Sequence, residues 1–237
     1  MQYRGIVFDK DGTLLDFHQT WLPVYRFAAE EFSAGNRQMA AQMLEQHGFD
    51  VINQRFHGGS LLAAGNNRQI AEHWADQAGQ TDATEQWAAR LHAIFRDQGA
   101  EHATPVAHLA TTLIRLKQAG LKLGVATADS YDGIINTLQS FDVLHEFEFL
   151  AGYDSGYGVK PGGGMVRAFC EQMNLSANTV VVVGDNHHDI EMGRNAKAGL
   201  CVGVLTGTST RSDLETSADI VLDDISALPD LLIGDDR

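Results

Sequence analysis

One stretch near the start of the chain decides the fold: Ile6-Val7-Phe8-Asp9-Lys10-Asp11-Gly12-Thr13-Leu14. It starts as an apolar run typical of a buried strand, predicted over Tyr3–Asp9, and it turns polar at its end. If the extended geometry continues, Asp9 and Asp11 point to the same side and Lys10 points to the opposite side. Two carboxylates then share one pocket at a strand end. An Asp-Gly pair is equally typical of a simple turn, so the motif alone leaves both interpretations open.

Other apolar runs of the chain alternate with helical patterns. Strands are predicted at Leu121–Thr127, Thr179–Gly184 and Leu200–Leu205, with weaker candidates at Glu146–Ala151 and Asp219–Leu222. Helices are predicted between them at about Val106–Gln118, Gly133–Phe141, Gly163–Met173 and Asp189–Ala198. Continuous apolar strands that alternate with helices indicate a parallel sheet covered on both faces. The predicted fold class is therefore α/β, with a doubly wound, Rossmann-like parallel sheet.

Residues 16–102 follow a different pattern, because they contain no convincing strand. They contain amphipathic helical stretches at Thr20–Phe32, Arg37–His47, Asn67–Ala78 and Thr84–Arg96. This segment is predicted to be an all-helical second domain inserted after the first strand. The sheet domain is then formed by residues 1–15 and 103–237.

The composition is that of an ordinary globular protein, with 237 residues, 44% hydrophobic residues and a formal net charge of −14. No apolar stretch approaches the ~18 residues of a membrane span, and the start of the chain has too short an apolar run for a signal peptide. The two cysteines, Cys170 and Cys201, fit neither a disulfide framework nor a metal-binding spacing. The excess of acid argues against a nucleic-acid partner, since binding the phosphate backbone requires clustered Lys and Arg. We therefore expect a cytoplasmic protein without a membrane or nucleic-acid partner, and its oligomeric state stays open.

Polar residues follow the ends of several predicted strands, where ligands bind in open parallel sheets. Asp185 and Asp189 follow the Val-rich strand and are expected to join Asp9 and Asp11. Such a group of hard oxygen donors without thiolates suits Mg²⁺. The neighbouring His187 and His188 point in different directions, which disfavours a transition-metal site. Thr127 and Lys160 also lie near strand ends, but taken alone they are explained as well by a helix cap and a solvated lysine.

Taken in order, these motifs resemble those of the haloacid dehalogenase superfamily, in its phosphatase branch. The matching residues are Asp9-Lys10-Asp11-Gly12-Thr13-Leu14, Thr127, Lys160-Pro161 and Gly184-Asp185-x-x-x-Asp189, which span nearly the whole chain. The helical insert is similar to the small cap of the phosphoglycolate-phosphatase-like and β-phosphoglucomutase-like members. Relatives often carry Asn where this chain has Ala128, and Pro where it has Gly163.

The resemblance implies a phosphatase that uses Mg²⁺ and acts on a small phosphorylated metabolite, with 2-phosphoglycolate as one candidate. Asp9 would be the nucleophile that becomes an aspartyl phosphate, and Asp11 the general acid and then the base. Side chains of Asp9 and Asp185, the backbone carbonyl of Asp11, and Asp189 directly or through water would ligate Mg²⁺. Phosphate oxygens would be held by Thr127, the amide of Ala128 and Lys160.

Alternative functions differ in how well they fit the residues. A dehalogenase needs neither Mg²⁺ nor an acid at position 11, and a phosphonatase-like enzyme needs a cap lysine, which residues 16–102 lack. A phosphomutase with the same core motifs stays open, as does a non-catalytic Mg²⁺-binding domain in which Asp9 only accepts phosphate.

Substrate specificity is expected from the cap, with His18, Arg55 and His57 as candidates. Arg55 would bind the carboxylate of 2-phosphoglycolate through two parallel hydrogen bonds. An arginine at such a position is more often an ordinary surface residue. On this hypothesis, Arg55→Ala raises KM without removing activity.

Overall fold

The computed structural model describes residues 2–234. The strands of this part of the chain are β1 (Gly5–Phe8), β2 (Phe49–Asp50), β3 (Arg55–Phe56), β4 (Lys122–Ala126), β5 (Phe149–Ala151), β6 (Val180–Gly184), β7 (Leu200–Val204) and β8 (Ile220–Leu222). Its α-helices are α1 (Phe17–Phe32), α2 (Arg37–Glu45), α3 (Leu61–Ala64), α4 (Asn67–Gln77), α5 (Thr84–His102), α6 (Leu109–Gln118), α7 (Tyr131–Gln139), α8 (Gly164–Met173), α9 (His187–Ala196), α10 (Arg211–Leu214) and α11 (Leu228–Ile233). No helix within residues 2–234 is long and apolar enough to cross a bilayer.

Six of the strands form one parallel sheet in the order β5-β4-β1-β6-β7-β8. Strand β1 lies near the middle, with Phe8 opposite Val125 of β4 and opposite Val183 of β6. The carboxyl ends of β4, β1 and β6 therefore lie side by side. This arrangement confirms the predicted α/β fold with a Rossmann-like parallel sheet and places the polar residues after these strands at one edge.

Alternation along β1 explains why the strand is apolar throughout. Ile6 and Phe8 belong to a buried cluster on one face of the sheet, which includes Leu113 and Leu116 of α6. Val7 belongs to a cluster on the other face, which includes Phe169 of α8. Because helices cover both faces, every residue of β1 is buried and no position has to be polar.

Helices α1 to α5 pack around a hydrophobic cluster of their own, centred on aromatic residues such as Trp21, Trp74 and Phe95. This separate cluster supports the predicted division at residues 15/16 and 102/103, which stays a prediction. Helix α1 starts at Phe17 rather than at the predicted Thr20. Asp16 caps it, accepting a hydrogen bond from the Gln19 amide at 2.9 Å.

The expectation of an all-helical insert is wrong in one detail, because β2 and β3 form a short antiparallel pair in which Phe49 lies opposite Phe56. Two residues per strand are too few to show the alternation by which a strand is recognised. The connecting turn depends on Asp50, whose Oδ1 accepts hydrogen bonds from the Ile52 and Asn53 amides at 2.9 and 3.0 Å.

Candidate active site

Three carboxylates converge at the carboxyl ends of β1 and β6. Asp9 follows β1 directly, Asp185 follows β6, and Asp189 lies in the first turn of α9. Their oxygen atoms lie within 4.8 Å of one another, and all three side chains are buried. The turn at α9 is fixed by a capping box, in which the Asn186 amide donates to Asp189 Oδ2 at 3.0 Å.

Lys160 forms ion pairs with two of these carboxylates. Its Nζ lies 2.5 Å from Asp9 Oδ1 and 2.5 Å from Asp189 Oδ1, and its side chain is only 6% exposed. Burial on its own would lower the pKa of Lys160, but the two carboxylates outweigh burial and raise it, so the ammonium stays charged. Burial, together with Asp189 and Asp11, raises the pKa of Asp9 to about 7 against the opposing effect of Lys160. The nucleophile candidate is thus held by a fixed cation.

The carboxylate group has the properties of a site for a divalent cation. Asp9 Oδ2 is buried and has no hydrogen-bond partner among the described residues. Asp185 is held through Oδ2, which accepts hydrogen bonds from the Thr208 amide at 2.7 Å and hydroxyl at 3.3 Å. Gly12, at φ +100°, packs so closely on Asp185 that a Cβ there would lie 2.5 Å from its Cγ. Since the donors are hard oxygens and one of them is an unpaired buried acceptor, these residues fit Mg²⁺.

Asp11 stands apart from these three carboxylates. Its Oδ1 accepts hydrogen bonds from Lys10 Nζ at 2.8 Å and from Trp21 Nε1 at 2.8 Å, and its Oδ2 lies 3.5 Å from Thr127 Oγ1. Burial raises the pKa of Asp11, although Lys10 and Trp21 act to lower it. The backbone carbonyl of Asp11 as an Mg²⁺ ligand stays a prediction.

The expectation that Lys10 points away from Asp11 is wrong. Strand β1 ends at Phe8, so the alternation of side chains does not continue through the motif. Lys10 is 1% exposed, and its Nζ also lies 3.1 Å from Asp129 Oδ2. Burial would lower the pKa of Lys10, but Asp11 and Asp129 outweigh burial and raise it. A lysine between two aspartates at the end of an apolar strand was the available signal for this buried ion pair.

The predicted phosphate-binding residues lie beside the carboxylates. Thr127, Ala128 and Lys160 line a pocket that also contains Asp9 and Asp11, called here the inner pocket. The same three residues line an adjoining outer pocket. Thr127 Oγ1 accepts a hydrogen bond from the Asp129 amide at 3.1 Å, which fixes the turn after β4.

The inner pocket has two walls of different character. The residues that the strand ends contribute are called here the sheet wall: Asp9, Asp11, Thr127, Ala128, Asp129, Lys160, Asp185, Asn186, His188 and Asp189. The residues that α1 to α5 and their connections contribute are the insert wall: Phe17, Trp21, Tyr25, Leu62, Ala63, Ala64, Gly65, Asn67 and Phe95. Sequence reasoning did not single out any residue of the insert wall.

The predicted specificity residues His18, Arg55 and His57 line neither pocket. Arg55 and His57 are exposed, and the half-buried His18 ring lies parallel to the Phe56 ring with the ring centres 6.0 Å apart. Their roles in specificity stay predictions, and the structure does not bring them to the carboxylates.

Comparison with known proteins agrees with this geometry. A family model described as haloacid dehalogenase-like hydrolase matches residues 3–197. The chain is 30% identical over 245 residues to the phosphoglycolate phosphatase of Psychrobacter arcticus, covering 98% of this chain and 97% of that protein. It is 24% identical over 203 residues to pyrophosphatase PpaX of Listeria monocytogenes, covering 84% of this chain and 82% of that protein.

A solved structure shows the same fold. The crystal structure of a predicted phosphoglycolate phosphatase from Haemophilus somnus matches with a TM-score of 0.75 at 18% identity, covering 98% of each chain. The predictions of an enzyme and of a phosphatase-like hydrolase are confirmed by the relatives together. Since the family model covers most of the sequence, the chain belongs to the haloacid dehalogenase-like hydrolase family.

Proposed function

We propose that this chain is a Mg²⁺-dependent phosphatase that hydrolyses a small phosphomonoester through an aspartyl phosphate on Asp9. The observation that carries the proposal is the environment of Asp9. One of its oxygens is held by Lys160, and the other is buried and unpartnered. An unpaired acceptor in a buried pocket is costly unless an electrophile binds there. A divalent cation and the phosphorus atom of a substrate are both suitable electrophiles.

The side chains of Asp9, Asp185 and Asp189 would hold the ion, with the backbone carbonyl of Asp11 as a further ligand. When bound, Mg²⁺ supplies positive charge that offsets the negative charge of the carboxylates and of the phosphate.

The proposed reaction has two steps. An oxygen of Asp9 forms a bond to phosphorus while the ester P–O bond breaks, and Asp11 donates a proton to the leaving alkoxide. Asp11 then takes a proton from a water molecule, whose oxygen attacks phosphorus and displaces Asp9, so that inorganic phosphate leaves and Asp9 is regenerated. Burial, which raises the pKa of Asp11, favours the protonated form that the first step requires.

Charge on the phosphate is balanced by residues that stay in place throughout. Lys160 lies beside the nucleophile, and its fixed ammonium offsets charge that develops on the phosphoryl oxygens. Thr127 and the backbone amide of Ala128 are proposed to donate hydrogen bonds to the same oxygens.

A cytoplasmic location and the absence of a nucleic-acid partner stay predictions.

Phosphate release tests this function. The native chain and Asp9→Asn are incubated with a panel of phosphomonoesters that includes 2-phosphoglycolate, in Mg²⁺ or in EDTA. We expect turnover that EDTA abolishes, and a loss of at least about a thousandfold in kcat for Asp9→Asn, because the amide is not a nucleophile. The matched control is Asp142→Asn, since the Asp142 side chain is fully exposed and lies outside both pockets.

Two results would contradict the proposal. Turnover that persists in EDTA excludes a role for the metal, and turnover that persists in Asp9→Asn excludes the aspartyl phosphate. If the folded protein releases phosphate from no ester, the result favours the two alternative functions, a phosphomutase and a non-catalytic Mg²⁺-binding domain.

A further inference from the structure

The insert wall carries no charge. Its contribution to the inner pocket is aromatic and aliphatic, apart from the amide of Asn67. The outer pocket meets the insert between Gly59 and Gln69, and the lining residues of that segment are also uncharged. A leaving group that extends from Asp9 toward the insert therefore meets no Lys, Arg or His of the insert in either pocket.

The sheet wall cannot provide the missing positive charge. Its carboxylates outnumber its lysines, and each buried lysine is already paired twice. Lys160 contacts Asp9 and Asp189. Lys10, behind this wall, contacts Asp11 and Asp129.

His188 belongs to the sheet wall and lines both pockets, but it is not part of the insert. Even with the two charges of the proposed Mg²⁺, Lys160 and Lys10 bring the positive charge here to four against five carboxylates, and the phosphoryl group adds more negative charge. A second negative group on the substrate would therefore enter a negative field. Like charges brought together in a site of this kind suppress binding strongly. The charge distribution therefore selects against phosphorylated acids.

Asn67 supplies the polar group of the insert wall that is still unpaired, since Trp21 Nε1 donates to Asp11 and the Tyr25 hydroxyl donates to the Leu62 carbonyl. It is the first residue of α4 and is 4% exposed, and its Nδ2 is buried without a hydrogen-bond partner among the described residues. The helix start is fixed by a capping box between Asn66 and Gln69, so Asn67 is held by a rigid element. A buried donor without a partner is costly, and an acceptor on a ligand removes that cost.

We propose that the substrate is the phosphomonoester of an uncharged alcohol, whose leaving group carries an oxygen that accepts a hydrogen bond from Asn67. Asn67 is thus a specificity-determining residue, and the apolar part of the leaving group packs on the rings of Trp21 and Phe95. This inference rests on the proposed phosphatase function and narrows its substrate class.

The charge preference is tested with pairs of esters of similar size. Each pair has an uncharged member and a carboxylate member: 2-hydroxyethyl phosphate with 2-phosphoglycolate, glycerol 3-phosphate with 3-phosphoglycerate, and glucose 6-phosphate with 6-phosphogluconate. We expect the uncharged member of each hydrolysed pair to have a kcat/KM at least about tenfold higher, because like charge disfavours the acid. Higher kcat/KM for the acidic members would overturn the inference and leave the phosphatase function intact.

The role of Asn67 is tested by a ratio within one enzyme preparation. 2-Hydroxyethyl phosphate and propyl phosphate differ only by a hydroxyl in place of a methyl group. We expect the native chain to prefer the hydroxyl ester by about tenfold in kcat/KM, and Asn67→Leu and Asn67→Ala to reduce this preference to near unity. Partial misfolding of a variant lowers both rates equally and leaves the ratio unchanged.

Gln77→Leu is the matched control, because it also removes a partly buried amide of α4 but lies outside both pockets. An unchanged ratio in both Asn67 variants would overturn the role of Asn67. Phosphate release from no ester in any pair would refute the phosphatase function, and this inference with it.

Discussion

The two walls of the inner pocket are built on different physical principles. The sheet wall consists of ionised groups that are buried and held by one another, as in the contacts of Lys160 with Asp9 and Asp189. The insert wall consists of packed rings, in which Trp21 lies 5.4 Å from Tyr25 and 5.1 Å from Phe95 between ring centres. Charges fixed on strand ends are suited to a reaction that moves charge. An apolar surface is suited to recognising the part of a substrate that does not react.

The difference also concerns stability. A buried carboxylate is costly unless it is paired, so the sheet wall depends on its own Lys160 and on Lys10 behind it. Packed rings stabilise the fold through the apolar area that they remove from water. Removing a single polar atom from one of these rings therefore lowers the free energy of unfolding by less. Removing a charge from the sheet wall should therefore have a larger effect than removing a polar atom from the insert wall.

The largest effect in this comparison is expected for Lys10→Met. The substitution keeps the length of the side chain but leaves Asp11 and Asp129 without their shared cation. Removing one partner of a buried ion pair costs about 3–5 kcal/mol. We expect the free energy of unfolding, measured by urea denaturation followed by circular dichroism, to fall by about that amount.

Lys122→Met is the control for this prediction. Its side chain is 51% exposed and lies 3.4 Å from Glu148, so its loss should cost no more than about 1 kcal/mol. If Lys10→Met destabilises the chain no more than Lys122→Met does, the buried carboxylates of the sheet wall do not need a paired lysine for stability. The proposed difference in stability between the two walls would then be wrong.

A smaller effect is expected where the insert wall donates to the sheet wall. Trp21→Phe keeps an aromatic ring on α1 but removes the Nε1–H that donates to Asp11 at 2.8 Å. This hydrogen bond orients the proposed acid and base Asp11, and a misplaced acid transfers its proton less well. If the roughly 1.5–3 kcal/mol of a hydrogen bond to a charged group is lost in the transition state, kcat falls roughly ten- to a hundredfold. Steady-state kinetics of phosphate release on the best ester of the panel measures this change.

Trp87→Phe makes the same substitution elsewhere in the insert, where Trp87 packs on Phe32 with ring centres 4.4 Å apart. It should leave kcat nearly unchanged. Equal losses in the two variants would show that the effect comes from packing within the insert and not from the contact between the walls.

The sheet wall could be predicted from the sequence because its position follows from topology. Apolar runs locate the strands, parallel pairing places their carboxyl ends together, and Asp9 and Asp185 come directly after two of those ends. Lys10 escaped prediction because its direction depends on where β1 stops. If β1 ended one residue earlier or later, the Lys10 side chain would point to the other side of the sheet.

The insert wall could not be predicted in the same way. The helical pattern shows which face of α1 or α4 is apolar, and Trp21 and Asn67 are indeed buried there. No local pattern shows how those helices lie over the sheet, since that depends on packing between segments distant in sequence. The candidates Arg55 and His57 are predicted from the chemistry of their side chains alone, and both are exposed in the structure.

The smallest effect is expected for a carboxylate of the sheet domain that lies away from both pockets. Glu148 Oε1 accepts a hydrogen bond from Lys117 at 2.6 Å, and its Oε2 accepts one from the Leu123 amide at 2.9 Å. Burial on its own would raise the pKa of Glu148, but these hydrogen bonds outweigh burial and lower it below its ordinary value of 4.5. A lowered pKa in the folded state means that ionised Glu148 stabilises the fold above the unfolded pKa. This stabilisation is lost as the pH falls through the folded value.

Glu148→Gln should therefore reduce the free energy of unfolding by no more than about 1 kcal/mol at pH 7, with a difference from the native chain that shrinks below pH 4.5. Urea denaturation at pH 7, 5 and 3.5 measures the difference, and the kcat for phosphate release should not change. A loss as large as that of Lys10→Met would mean that any paired carboxylate of this domain is as important as those of the sheet wall. The large effect would then be a property of the domain's ion pairs in general, because Glu148 lies at the opposite ends of the strands and is partly exposed.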